Sequence, residues 1–171
     1  RAHREGTSLA LVLIELDDLK GMNDRFGQPA GDRALCAVAD ALRHGSRPAD
    51  LVARWGGDEF AVVAPATTEE QALALAERIA STVHLRSAAR RPVIELGVQV
   101  KPPVLSVSAG VAAADAGHPN QLKPQALFSA ADRALQKARV AGKGLVRATS
   151  GEGRAPRTYG ALKLVSSSRG P

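Results

Sequence analysis

The sequence predicts an α/β fold of the α+β kind, a central and mostly antiparallel sheet flanked by helices. Three observations predict it. Leu9–Leu16 is a near-continuous apolar run, the composition of a strand buried on both faces. Two apolar runs, from Leu51 and from Phe60, meet across Gly56-Gly57, which is hairpin chemistry. Elsewhere apolar residues recur at helical spacing, as at Leu35, Val38, Ala39 and Leu42. The resulting order is strand, two helices, hairpin, helix, further strands, helix and strand, which suits a sheet covered by helices.

The chain's 171 residues suffice for one domain with a real core, and 44% of them are hydrophobic, which excludes a disordered polymer. Only 3% are aromatic, so Leu, Val, Ile and Ala must build that core. No apolar run approaches the ~20 residues that a membrane span needs, and the start has no signal-peptide pattern, so no membrane contact is expected of this segment. A single cysteine, Cys36, excludes an internal disulfide and a cysteine metal cluster and fits a cytoplasmic setting. Of the net charge of +6, half lies beyond Ala148. With no stripe of interleaved aromatic and basic residues, a small phosphorylated ligand fits this charge better than nucleic acid.

Taken in order, the first strand carries one anomaly, Glu15, since a carboxylate near the end of a buried strand is costly unless paired or bound to a metal. Asp17 follows at the strand exit, and Asp18 is placed to cap the next segment. Lys20–Gly27 reads as a short helix stopped by glycine. Gly31-Asp32 opens the next helix, where Asp32 is either a first-turn anion or a functional carboxylate. Leu51–Val63 predicts a hairpin with Gly56-Gly57 as a two-residue loop at positive φ. Asp58 and Glu59 follow at once, as solvated turn chemistry or facing a cation. Thr67 with Glu70 predicts a capping box for a helix carrying Leu73, Ala76, Ile79 and Val83. Val93–Val100 and Val104–Ala112 read as strands, Pro124 as the start of a helix, and Leu145–Arg147 as a last strand. Residues 149–171 are rich in Ser, Gly, Arg and Pro and predict a flexible tail behind a domain of residues 1–148.

The hairpin spells Gly-Gly-Asp-Glu-Phe. Around it stand Lys20-Gly21-Met22-Asn23-Asp24 with Gly27, Arg47-Pro48-Ala49-Asp50 ending six residues before Gly56, Ser108-Ala109-Gly110-Val111, and Ala131-Asp132-Arg133-Ala134-Leu135 running on to Lys143. From about Leu9 to about Val146, in this order, the chain resembles the GGDEF family of bacterial diguanylate cyclases, which join two GTP into cyclic di-GMP. The resemblance implies a ferredoxin-like palm of the nucleotidyl-cyclase kind. It implies that Gly56, Gly57, Asp58 and Glu59 form the catalytic hairpin, and that Glu15, the Leu16 carbonyl, Asp58 and Glu59 surround Mg2+ or Mn2+. By the same resemblance Asn23 and Asp32 read guanine, Asp18, Leu19, Lys20, Arg139 and Lys143 hold phosphates, and Arg47 with Asp50 forms an inhibitory site for cyclic di-GMP. A second arginine would complete that site, with Arg78, Arg86, Arg90 and Arg91 as candidates. Because each domain holds one GTP, the resemblance also implies a homodimer at least during catalysis.

The chain departs from the family at several of these positions. Glu15 stands where the family has Asp, a displacement of roughly 1.5 Å for the carboxylate. Leu19 replaces Phe, Gln28 His and Gln136 Tyr, and the two phosphate-binding cations are exchanged in type as Arg139 and Lys143. The family's opening Asp-x-Leu-Thr-Gly-Leu-x-Asn-Arg segment has no match, so the chain reads as a fragment of a longer protein. These departures define the alternative, a degenerate domain that binds cyclic di-GMP or GTP and regulates a neighbour.

Overall fold

A computed structural model describes residues 7–95, 98–114 and 123–149. Along the chain the elements are β1 (Leu9–Leu16), α1 (Leu19–Phe26), α2 (Gln28–Gly45), β2 (Leu51–Arg54), β3 (Glu59–Pro65), α3 (Glu69–Ala88), β4 (Val93–Glu95), β5 (Val98–Val100), β6 (Val107–Ala114), α4 (Pro124–Ala141) and β7 (Val146–Ala148). Five strands form one sheet in the order β2-β3-β1-β6-β7. All pairings are antiparallel except β6 with β7. β1 is therefore the central strand, and it is buried on both faces as its apolar run predicts.

Period-two alternation along β1 divides its side chains between two cores. Val12, Ile14 and Leu16 join Val38, Leu42 and Ile79 in the larger core, beneath α2 and α3. Leu11 and Leu13 join Ala61, Leu127 and Leu135 in a smaller core beneath α4. Small residues let α4 lie close. A Cβ on Gly110 would meet the Ala131 carbonyl and the Leu135 amide nitrogen at 2.2 Å. Glu15 falls in the alternation with Leu11 and Leu13, so it emerges on the α4 side of the sheet.

Several boundaries differ from expectation for local reasons. The helix expected to open at Gly31-Asp32 begins at Gln28, with Pro29 in its first turn, so Asp32 lies one turn inside and has no first-turn role. The capping box uses Thr68 and Gln71 rather than Thr67 and Glu70. Thr67 instead donates to the Pro65 carbonyl. Val93–Val100 is not one strand: β4 and β5 pair with each other in a separate two-stranded sheet. β6 starts at Val107 rather than Val104, because the Leu105 amide donates to Ser87 Oγ on α3 instead of to a ladder. Thr149, expected in the tail, bonds back to the Val111 carbonyl and to Glu69. Residues 150–171, including the apolar patch Tyr159–Val165, lie outside the described residues.

Candidate active site

The hairpin between β2 and β3 is longer than a two-residue loop. Arg54 pairs with Phe60, and the Trp55 amide donates to the Glu59 carbonyl at 2.8 Å, leaving Gly56, Gly57 and Asp58 as the loop. Neither glycine has positive φ, so conformational licence is not why they stand there. A Cβ on Gly56 would lie 2.9 Å from Glu59 Oε2, the movable end of a side chain, and a Cβ on Gly57 would meet nothing within 4 Å, so the loop leaves room on this face. The Asp58 carbonyl accepts from the Leu16 amide at 2.9 Å, which fastens the loop to the end of β1.

This fastening brings acidic groups to one rim. Glu15 and Glu59 are direct partners in the β1–β3 register, and both point to the α4 side. The Glu15 side chain is only 13% exposed, and Arg139 Nη1 from the last turn of α4 lies 3.1 Å from its carboxylate. Burial pushes the Glu15 carboxyl above the ordinary carboxylate range, and Asp58, Glu59 and Asp17 add to the rise while Arg139 opposes it. Beside this pair, Lys143 Nζ lies 3.3 Å from Asp18. Asp18 occupies the N-cap position of α1 but makes no capping bond, holding φ at 63° while its carboxylate turns to Lys143. The first amides of α1, at Leu19 and Lys20, are thereby left without an intrahelical or capping partner, a setting for an anion.

Asp17 proves to be a structural hub, a role not assigned from the sequence. Its carboxylate accepts from Ser106 Oγ at 2.7 Å, Ser108 Oγ at 2.8 Å and the Gly144 amide at 2.9 Å. It ties β1 to β6 and to the loop that carries Lys143. The signal was present in the sequence as two serines at i and i+2 in an otherwise apolar strand, which face one side together and need a shared polar partner.

Asn23 on α1 stands against α2. A Cβ on Gly31 would fall 1.9 Å from Asn23 Oδ1, so this approach requires glycine at position 31. That oxygen is buried without a hydrogen-bond partner. Asp32, the next residue after Gly31, lines a cavity of about 410 Å3 together with Leu35, Cys36, Val52, Arg54 and Phe60. Asn23 is not among the residues that line this cavity, so the two candidate base-reading residues are brought to the same end of α2 but not into one slot.

Among the described residues, no group of three or more His, Cys, Asp or Glu side chains is drawn together to hold a metal ion. The expected cage of Glu15, the Leu16 carbonyl, Asp58 and Glu59 is thus not closed, and Arg139 neutralises Glu15 in its place. The donor set still fits a hard cation, since carboxylates on adjacent strands share this rim and supply only oxygen.

At the other end of β2, Arg47 and Asp50 close a turn on each other. The Arg47 amide donates to Asp50 Oδ2 at 2.7 Å, and the Asp50 amide donates to the Arg47 carbonyl at 3.0 Å. Arg78 on α3 donates to the Gly45 carbonyl at 2.7 Å, which sets its guanidinium beside the loop carrying Arg47.

Residues 1–144 match the model of the family described as diguanylate cyclase, GGDEF domain. The chain belongs to the GGDEF family. This GGDEF domain is 37% identical over 143 residues to diguanylate cyclase DgcP of Pseudomonas aeruginosa, an alignment covering 84% of this chain and 20% of the relative. It is 37% identical over 139 residues to diguanylate cyclase DgcM of Escherichia coli, covering 81% and 30%. The chain therefore spans under a third of the length of these curated relatives. Among solved structures, the GGDEF domain of DgcB from Caulobacter crescentus in complex with c-di-GMP superposes with a TM-score of 0.75 at 26% identity, covering 87% of this chain and 82% of that one. The active GGEEF domain of a diguanylate cyclase from Vibrio cholerae gives 0.73 at 29% identity, covering 87% of each. No helix among the described residues is long and apolar enough to cross a membrane.

Proposed function

We propose that this GGDEF domain is a cytoplasmic diguanylate cyclase that condenses two GTP into cyclic di-GMP. The observation that carries the reading is the convergence at one rim of the paired Glu15 and Glu59, the Asp58 loop, and two cations, Arg139 and Lys143. Such a rim suits a triphosphate with its counter-charge.

In this reading the 3′-hydroxyl oxygen of one GTP forms a bond to the α-phosphorus of another and its proton passes to solvent, while the bond from that phosphorus to the α,β-bridging oxygen breaks and pyrophosphate leaves with the electron pair. Two such steps close the ring. Bound Mg2+ or Mn2+ would be held by Glu15, the Leu16 carbonyl, Asp58 and Glu59, and it would supply charge neutralisation and acidification of the hydroxyl. Glu59 orients the attacking hydroxyl. Arg139, Lys143 and the amides of Leu19 and Lys20 bind the terminal phosphates, with Asp18 releasing Lys143 as they arrive. Asp32 accepts from N1–H and the exocyclic amine of guanine, and Asn23 reads the complementary edge. Adenine presents the wrong donors, so GTP is selected. Because one domain holds one GTP, two copies meet face to face.

Arg47, Asp50 and Arg78 form the inhibitory site in this reading. Of the four arginines considered, Arg78 is supported by its bond to the Gly45 carbonyl. The test is product formation from GTP and magnesium at high protein concentration, with Glu15→Asp beside the wild type and Glu59→Ala as the blank. Product from the wild type and none from the blank supports the cyclase. Product from the Asp variant alone makes the natural domain a binding module for cyclic di-GMP or GTP, the reading that Glu15 in place of Asp favours.

A further inference from the structure

We propose that Arg54 is a positioning residue that holds the Gly56-Gly57-Asp58 loop in its working shape, an inference that rests on the cyclase reading. Arg54 is the last residue of β2. Its Nε donates to the Gly56 carbonyl at 3.1 Å and its Nη2 donates to the Gly57 carbonyl at 2.6 Å. With the Asp58 carbonyl held by the Leu16 amide at 2.9 Å, every carbonyl of the loop is fastened. The two glycines have no side chains to fasten it otherwise, and a Cβ built on Gly57 would meet nothing within 4 Å. Besides the Gly56 amide on the Glu59 carbonyl at 3.2 Å and the Leu16 amide on the Asp58 carbonyl, the loop's shape is held by this guanidinium fork, which alone binds the Gly56 and Gly57 carbonyls.

The clamp also sets the direction of the loop's donors. In a trans peptide the carbonyl and the following N–H point opposite ways. With the Gly56 and Gly57 carbonyls turned to Arg54, the N–H groups of Gly57 and Asp58 are turned away from it. Neither has a partner among the described residues. They stand next to Asp58, where an α-phosphate oxygen gaining charge would meet them. Only a planar fork reaches two successive carbonyls at once, so lysine cannot replace arginine here.

The experiment compares wild type with Arg54→Lys and Arg54→Ala. Cyclic di-GMP kinetics are measured, together with 15N order parameters of the Gly57 and Asp58 amides in the nucleotide-free protein. The expected result is a fall in kcat of about 100-fold with KM within about threefold, the cost of misplacing a reacting group by an ångström or so. The order parameters should drop at these two amides while the melting temperature stays unchanged, because Arg54 is exposed. Added methylguanidinium should restore turnover to Arg54→Ala and not to Arg54→Lys. Unchanged order parameters in both variants overturn the proposal, as does a rise in KM at constant kcat, which would make Arg54 a substrate contact. If the wild type makes no cyclic di-GMP, the cyclase reading fails, and the order parameters alone decide the clamp: a drop supports it and no change overturns it.

Discussion

Glu15 illustrates how a candidate functional residue opposes stability. Its carboxyl is raised above the ordinary 4.5 chiefly by burial, so the ionised form is disfavoured in the folded chain. The folded state holds this proton more tightly than the unfolded state. The associated stability is therefore fully present below pH 4.5 and is lost as pH rises through the folded-state value. Glu15→Gln should melt at a higher temperature than wild type at neutral pH, with the two melting curves converging on acidification below 4.5, while the variant loses Mn2+ binding. Gly31 shows the converse. Ala at this helix-interior position gains about 1 kcal/mol in propensity, yet its Cβ would strike Asn23 Oδ1. Gly31→Ala should keep its stability in urea and lose about tenfold or more in affinity for a fluorescent GTP analogue, as expected when a base-reading hydrogen bond is displaced.

At the scale of elements, α4 is placed by contact and by charge. Its backbone rests on β6 at Gly110, so Gly110→Ala should cost about 3 kcal/mol by urea unfolding, because the atoms in the way are backbone and cannot rotate aside. Its last turn delivers Arg139 to Glu15 at 3.1 Å. In the proposed cyclase a cation bound by Glu15 would compete with that guanidinium, which a triphosphate would then accept, so metal and nucleotide binding would be coupled. Without nucleotide, Arg139→Gln should bind Mn2+ roughly two- to fivefold more tightly than wild type in an electron-spin-resonance titration, the scale of a half-exposed ion pair. The same variant should bind the GTP analogue more weakly. The aromatic pair of Trp55 with Phe128, ring centroids 5.6 Å apart, adds a second link between α4 and the hairpin.

For the whole molecule, β2 separates two candidate sites. The Arg47–Asp50 turn precedes this four-residue strand, and the Gly-Gly-Asp loop begins at Gly56, six residues after Asp50. Product bound at the first cannot touch the second across a strand of about 13 Å. Inhibition would therefore act by holding domains apart or by shifting the strand. Arg47→Ala should leave the initial rate within about twofold and raise the cyclic di-GMP concentration for half-inhibition roughly tenfold, through loss of a charge-assisted phosphate contact. Progress curves with added product measure this.

Much of this was legible without coordinates because it rests on local pattern. The near-continuous apolar run of Leu9–Leu16 satisfies a strand by burial on both faces, and β1 is so buried, although its central place in the sheet was not legible: β6 is buried as fully and lies off centre. The Gly-Gly-Asp-Glu-Phe hairpin, the helix from Pro124 and the stop at Gly27 likewise follow from side-chain periodicity and backbone chemistry. The sequence also placed Glu15, Asp58 and Glu59 among the candidates, since carboxylates beside apolar strands stand out. What it could not decide were matters of one partner or one turn: Thr68 rather than Thr67 as cap, Gln28 rather than Gly31 as helix start, three loop residues rather than two. Nor could it pair groups far apart in the chain. Asp17 meets Ser106, Ser108 and Gly144, Arg139 takes the place beside Glu15, and Arg78 comes to Gly45. Local propensity fixes which residues form an element, but contacts between elements depend on how helices seat on the sheet, and that is settled by packing across the whole domain.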